Sequence, residues 1–243
     1  MLLHPSSFIP PALSPMTIRI LTSNSTLSVL EALVPGFERA GGGPCEIAYD
    51  SAIKMLARIK GGETGDVLVF HSGAFDELAP LKTIVAGSRR PFALSRVGVA
   101  VRSGAPRPDI SSVEAFRSAM LPARSIAHTV HGASGMYIPV LMERLGIAAQ
   151  MKPKTVTRPG GYIGGVVASG EAEIALQQIV ELLAVPGIDL VGPLPDALQK
   201  VFETSAGIFS ASKQPQAAEA LLRYLLAPGA ASVFREKGLE QAH

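Results

Sequence analysis

Residues 128–135 read HTVHGASG: two histidines three apart, then a Gly-Ala-Ser-Gly turn. Such residues can ligate a metal, move a proton or hold an anion. As a metal pair, His128 and His131 lack a third ligand nearby, and a pair split between strand and loop suits tetrahedral coordination poorly. As acid–base chemistry, His131 beside the turn is the candidate catalytic residue, because an imidazole changes charge near neutral pH. As hydrogen-bonded loop residues, both histidines would be bystanders. The turn carries the third chemistry. It precedes Ile138, Leu141, Met142 and Leu145, an apolar stripe at helical spacing. A helix start offers unpaired N–H groups and the positive end of the macrodipole, and Ser134 and Gly135 would sit there to receive an anion.

Three further loops have the same character. SNST brings Asn24 and Ser25, DSAIK brings Ser51 and Ala52, and HSG brings His71 and Ser72. Helix capping alone explains any one of them. Four at equivalent strand ends point to a neutral anion cradle. RPGGYIGG (158–165) fits neither the dinucleotide fingerprint nor the P-loop. Its glycines suit close backbone approach to a small ligand at Gly160, with Arg158 and Tyr162 as contacts. Gln177 and Gln178 close the strand IALQQ, where amides can hydrogen-bond a ligand. No Gly-x-Ser-x-Gly elbow is present, and the carboxylates are too dispersed to suggest paired-carboxylate catalysis.

The elements that position these loops follow from pattern. TIRILT, CEIAYDS and DVLVFHS read as strands separated by helices, the start of a doubly wound α/β domain. Pro35 should kink or interrupt the first helix. SRVGVAVRSG, RSIAHT, IALQQ and SAGIFSAS add strands. Two helices separated by Pro228-Gly229 end the chain, the first burying Ala218, Leu221, Leu222 and Leu225. No linker-like stretch interrupts 243 residues, which suits two lobes sharing crossing strands.

Composition narrows the partners. With 47% apolar residues the chain can bury a large core, and a net charge of +2 gives no nucleic-acid footprint. The single Cys45 excludes an internal disulfide and cysteine-based zinc sites. No stretch reaches membrane-spanning length. The proline-interrupted opening does not read as a secretory signal, so as written the chain is expected in the cytoplasm, with residues 1–16 a loose arm. Nothing calls for a cofactor or a metal.

IRILTSNSTL, YDSAIKMLARIKGGETGDVLVF, SRVGVAVRSGAPRPDISSVEAFRSAML, ASGMYIPVLMERLGI and GEAEIALQQIVELLAVPGIDLVGPLP follow one another in an order that resembles the molybdate-binding protein family of ABC importers, within the type II periplasmic binding protein superfamily. The resemblance covers residues 17 to about 240. It implies a two-lobed α/β fold, 17–93 with 206–243 forming one lobe and 94–205 the other. Crossing strands near 91–97 and 203–209 join them, with an anion in the cleft. It also implies a periplasmic location, and a permease partner if the chain is exported. Family ligand contacts fall on Ser25, Ser51 or Ala52, Ser134, the Gly160 region and Gln178. Two departures stand out. The second-loop hydroxyl falls on Ala52, and the tyrosine of molybdate binders is Gln178. These turn the expected ligand from molybdate towards an organic di- or tricarboxylate. The same branch resembles aconitate isomerase-like proteins. That similarity implies an alternative, a cytoplasmic isomerase of a polycarboxylate, with His131, His71, Lys54 or Tyr162 moving the proton and Arg158 among the carboxylate holders.

Overall fold

The computed structural model describes residues 16–242. In chain order the elements are β1 (Ile18–Ser23), α1 (Asn24–Arg39), β2 (Cys45–Asp50), α2 (Ala52–Lys60), β3 (Val67–His71), α3 (Ser72–Leu78), β4 (Arg90–Arg102), α4 (Val113–Met120), β5 (Ile126–Thr129), α5 (Ala133–Arg144), α6 (Ala148–Met151), β6 (Thr155–Arg158), α7 (Gly164–Ala168), β7 (Ile174–Gln178), α8 (Ile179–Leu183), β8 (Ile188–Pro193), β9 (Val201–Ile208), α9 (Pro215–Leu225), α10 (Ala231–Glu236) and β10 (Leu239–Gln241). The arm read over residues 1–16 lies, apart from Met16, outside the described residues.

The strand order is β2-β1-β3-β9-β4-β7-β5-β6, with β8 and β10 each paired to β4. β1 lies parallel between β2 and β3, and β5 lies parallel between β6 and β7. β4 is the strand that joins these halves. Its first part, Arg90–Arg96, pairs antiparallel with β9, and its second part, Val97–Arg102, pairs with β7 and β8. Thirteen residues at a strand rise of about 3.4 Å span roughly 40 Å, enough to traverse both lobes. β9 returns across the same seam and pairs with β3 at Thr204–Ile208. β4 and β9 are thus the strands that run across both halves of the sheet.

Each lobe buries its own core. In the first, Leu30, Leu33, Val34 and Phe37 of α1 meet Leu221, Leu222 and Leu225 of α9 and Phe234 of α10. On the opposite face, Met55 and Ile59 of α2 pack with Phe70, Phe75 and Leu78. In the second lobe, Phe116 and Met120 of α4 pack with Ile138, Leu141 and Met142 of α5. β3 and β7 are covered on both faces and read as near-continuous apolar runs, as strands between helix layers must.

Pro35 does not interrupt α1, which continues from Asn24 to Arg39. Pro35 lies on the exposed face, so the carbonyl it leaves unpaired faces solvent, while burial of Leu33, Val34 and Phe37 holds the helix. Four elements escape a reading by pattern: α3, α6, β6 and β10. All are short, from three to seven residues.

Candidate ligand cleft

Open α/β sheets bind ligands beyond the carboxyl ends of their strands, and the cleft lies there. The first lobe contributes Ser23, Asn24 and Ser25 from the β1–α1 junction, Ser51 and Ala52 from β2–α2, and His71 at the end of β3. The second contributes Thr129, Gly132 and Ala133 from β5–α5, Gly160 and Gly161 after β6, and Gln177, Gln178 and Glu181 from β7–α8. Phe202 and Thr204 of the crossing strand β9 form the floor. The lobes come close at Gly160, where an added Cβ would stand 3.1 Å from Ser51 Cβ.

Three helices of nine residues or more begin at this cleft: α1, α2 and α5. The cap hydroxyls of Ser23 and Ser51 make no cap hydrogen bond, and Gly132, the cap of α5, has no side chain to offer one. Away from the cleft, Ser112 caps α4 through its hydroxyl, which accepts from the Ala115 N–H at 3.1 Å. The helix starts facing the cleft thus leave first-turn N–H groups available to an anion. Thr129 Oγ1 and Ser134 Oγ are both buried without a partner. Buried hydroxyls are ordinarily satisfied, and of these two Thr129 lines the cleft, where its orphan hydroxyl suits a polar ligand.

Among the described residues no Lys or Arg lines the cleft, and its titratable groups are perturbed in opposite directions. Burial raises the Glu181 carboxyl to about 8, opposed by hydrogen bonding from the Gln178 backbone and the Gln177 side chain. Burial also lowers the His71 pKa, with Glu77 opposing, so the imidazole is held neutral. Its Nδ1 accepts from the Ala74 N–H at 3.2 Å, which assigns the ring proton to Nε2. Tyr162 is pushed up to about 12 by burial and then by the Glu181, Glu31 and Tyr49 charges.

Asn24, Ser25, Ser51, Ala52, Gly160 and Gln178 all meet in the cleft. Others do not line it. His131 is exposed at the start of the turn, where its N–H donates to the Pro159 carbonyl. Arg158 forms an ion pair with Glu171 at 2.6 Å. The Ser72 hydroxyl pairs with that of Ser205 at 2.8 Å, and Lys54 is exposed. Gly135 is a packing residue, since a Cβ there would lie 1.8 Å from the Thr129 carbonyl oxygen. Ser134 is buried in the first turn of α5 and Tyr162 is half-buried; neither lines the cleft. His128 is buried and faces a separate groove beside α5. Gln177 holds the glycine loop, accepting from the Ile163 N–H and donating to the Gly161 carbonyl, both at 2.8 Å.

Glu181 and Thr129, with Phe202 and Thr204 of β9, are among the cleft residues that reading the sequence missed. A signal for Glu181 exists in QQIVELL. It is a lone acid among apolar residues, three positions after Gln178 and hence on the same face of the helix start. Among the described residues no group of three or more His, Cys, Asp or Glu could hold a metal ion.

Residues 18–240 match the model of a family described as bacterial extracellular solute-binding protein. The chain belongs to that family. Among its curated relatives is an aconitate isomerase of Pseudomonas sp., 35% identical over 230 residues that make up 92% of this chain and 87% of the relative. Among solved structures, the periplasmic molybdate-binding protein of Azotobacter vinelandii superposes with a TM-score of 0.78 at 18% identity, covering 93% of this chain and all (100%) of that one. The sulfate-binding protein of Mycobacterium tuberculosis H37Rv gives a TM-score of 0.73 at 15% identity, covering 92% of this chain and 86% of that one. These structures establish the two-lobed fold of periplasmic solute-binding proteins. No helix among the described residues is long and apolar enough to cross a membrane.

Proposed function

We propose that this chain binds a small polycarboxylate of the aconitate type in the interlobe cleft and isomerises it by moving a proton from one carbon to another. The observation that carries the anion part is the convergence of three helix starts: the cap hydroxyls of Ser23 and Ser51 leave the first-turn N–H groups of α1 and α2 unspent, and α5 opens on Gly132, which has no side chain to cap it. Such groups stabilise negative charge on a bound carboxylate, and also on the enolate formed when a carbon beside it loses a proton. Two observations support turnover beyond binding: the 35% identity to an aconitate isomerase across most of both chains, and titratable side chains within the anion cradle. An oxyanion receptor needs no proton carrier. The fold analogy with molybdate and sulfate receptors supports the cleft as the site but does not select the ligand.

A second reading, a solute receptor that hands a carboxylate to an importer's permease, draws on the family description. The test separates the two. Thermal unfolding is followed with molybdate, sulfate, citrate, cis-aconitate and trans-aconitate, and each ligand that stabilises the protein is then checked for conversion by proton NMR. Stabilisation by the aconitates with conversion supports the isomerase. Stabilisation without conversion supports the receptor. No stabilisation and no conversion with any polycarboxylate would remove both.

A further inference from the structure

We infer that Glu181 is the proton carrier of this cleft: its carboxyl group takes a proton from one carbon of a bound polycarboxylate and returns it to another. The inference rests on the isomerase reading above and names the residue that performs it. Glu181 lies in the first turn of α8, three residues after the cleft residue Gln178, and is only 6% exposed. It lines the cleft directly. Its neighbour Val180 packs into the core of the first lobe, so α8 sits at the seam between the lobes. No cation contributes to the ionisation of Glu181. An acidic side chain buried without a positive partner is costly, and nothing in the surrounding packing calls for one. Its position on a ligand cleft gives it a use.

The other candidates drop out on geometry. His131 and Lys54 are exposed and do not line the cleft. His71 lines it, but its Nδ1 is occupied as the cap of α3. The neutral ring therefore presents Nε2–H, a donor that can steady a carboxylate or enolate oxygen but cannot accept a proton from carbon. The Tyr162 phenol, pushed up to about 12, stays protonated at neutral pH. The titratable groups around the site are thus His71 on the facing wall and Tyr162 beside Glu181, with Glu31 and Tyr49 acting on Tyr162.

The step balances within the substrate and one side chain. In its carboxylate form Glu181 takes a proton from the substrate methylene. The freed electron pair joins the adjacent double bond as an extended enolate, its charge spread onto the carboxylate oxygens. Neutral Glu181 then gives the proton to the far carbon of the three-carbon unit. One C–H bond breaks and one forms, the double bond moves one position, and Glu181 is a carboxylate again. A carboxylate whose conjugate acid titrates near 8 is a stronger base towards carbon than an ordinary one.

The test compares wild type and E181Q with trans-aconitate, following conversion by proton NMR and binding by thermal shift from pH 6 to pH 9. Wild-type kcat/KM should climb about tenfold per pH unit below about pH 8 and level off above it. E181Q should still be stabilised by trans-aconitate and should lose about 100-fold or more of its turnover. Turnover of E181Q within about threefold of wild type, or a flat wild-type profile, overturns the role of Glu181 and leaves the isomerase reading standing. A wild type that neither binds nor converts polycarboxylates overturns both. If E181Q does not fold, the wild-type profile decides alone.

Discussion

The two walls of the cleft share helix starts and differ in what surrounds them. The first wall presents Asn24, Ser25, Ser51 and His71, all half-buried polar side chains, on α1, α2 and the end of β3. The second presents glycines at 132, 160 and 161, with Thr129, Gln177, Gln178 and Glu181 all buried. Hydroxyls and N–H groups on the first wall can follow a ligand of variable shape. On the second wall, buried amides fix the backbone, and the low polarity around them shifts the protonation of the one acid present. Helix starts are common to both walls, whereas the buried acid belongs to the second.

The comparison breaks most severely at Gly135. Its Cβ would lie 1.8 Å from the Thr129 carbonyl oxygen, a backbone atom that cannot yield cheaply. G135A should lose about 3 kcal/mol of stability or fail to accumulate as folded protein, as measured by denaturant unfolding.

The protonation contrast is sharpened by the stability of E181Q. Because the folded state holds the Glu181 proton up to about pH 8 while the unfolded chain releases it near 4.5, wild-type stability should fall across that interval as pH rises. The slope is at most about 1.4 kcal/mol per pH unit. Above about pH 8 the term is fully lost. E181Q carries no such proton, so its melting temperature should exceed that of wild type at pH 8 and the difference should shrink towards pH 5. A constant difference between the two proteins over that range would contradict the buried, ionisable assignment.

On the first wall, S25A and S51A each remove one hydroxyl and should weaken polycarboxylate binding by about three- to tenfold without changing its pH dependence, measured by titration calorimetry. G160A acts where the walls approach. Its Cβ would meet Ser51 Cβ at 3.1 Å, so binding should weaken a few-fold while the melting temperature of the free protein stays unchanged. The smallest effect belongs to H131A, since that side chain is exposed and away from the cleft. Its turnover should match wild type, and a large loss there would return the proton to the residue the sequence first points to.

Much of this architecture is legible in the sequence because it rests on repeating local patterns. The helical stripe Ile138, Leu141, Met142 and Leu145 is buried as spaced. Loops at strand ends identified most of the first wall. The second wall was harder to read. Arg158 looks like an anion holder until Glu171, thirteen residues away, claims it. His131 and His128 lie close in sequence, yet one is exposed and the other turns into a groove behind α5. Glu181 looks like an ordinary helix charge, because its burial depends on α8 packing against the other lobe, a contact that no local pattern encodes. The Nε2–H form of His71 depends likewise on the start of α3, a seven-residue helix that the pattern did not reveal.

The most direct test of the central claim is proton NMR of wild-type protein with trans-aconitate in D2O at pH 8. Proton transfer at carbon in the cleft predicts the appearance of cis-aconitate, together with loss of methylene proton signal as solvent deuterium enters the substrate. Unchanged trans-aconitate spectra, in a sample where the same ligand raises the melting temperature, would contradict it and leave a receptor that binds the acid without acting on it.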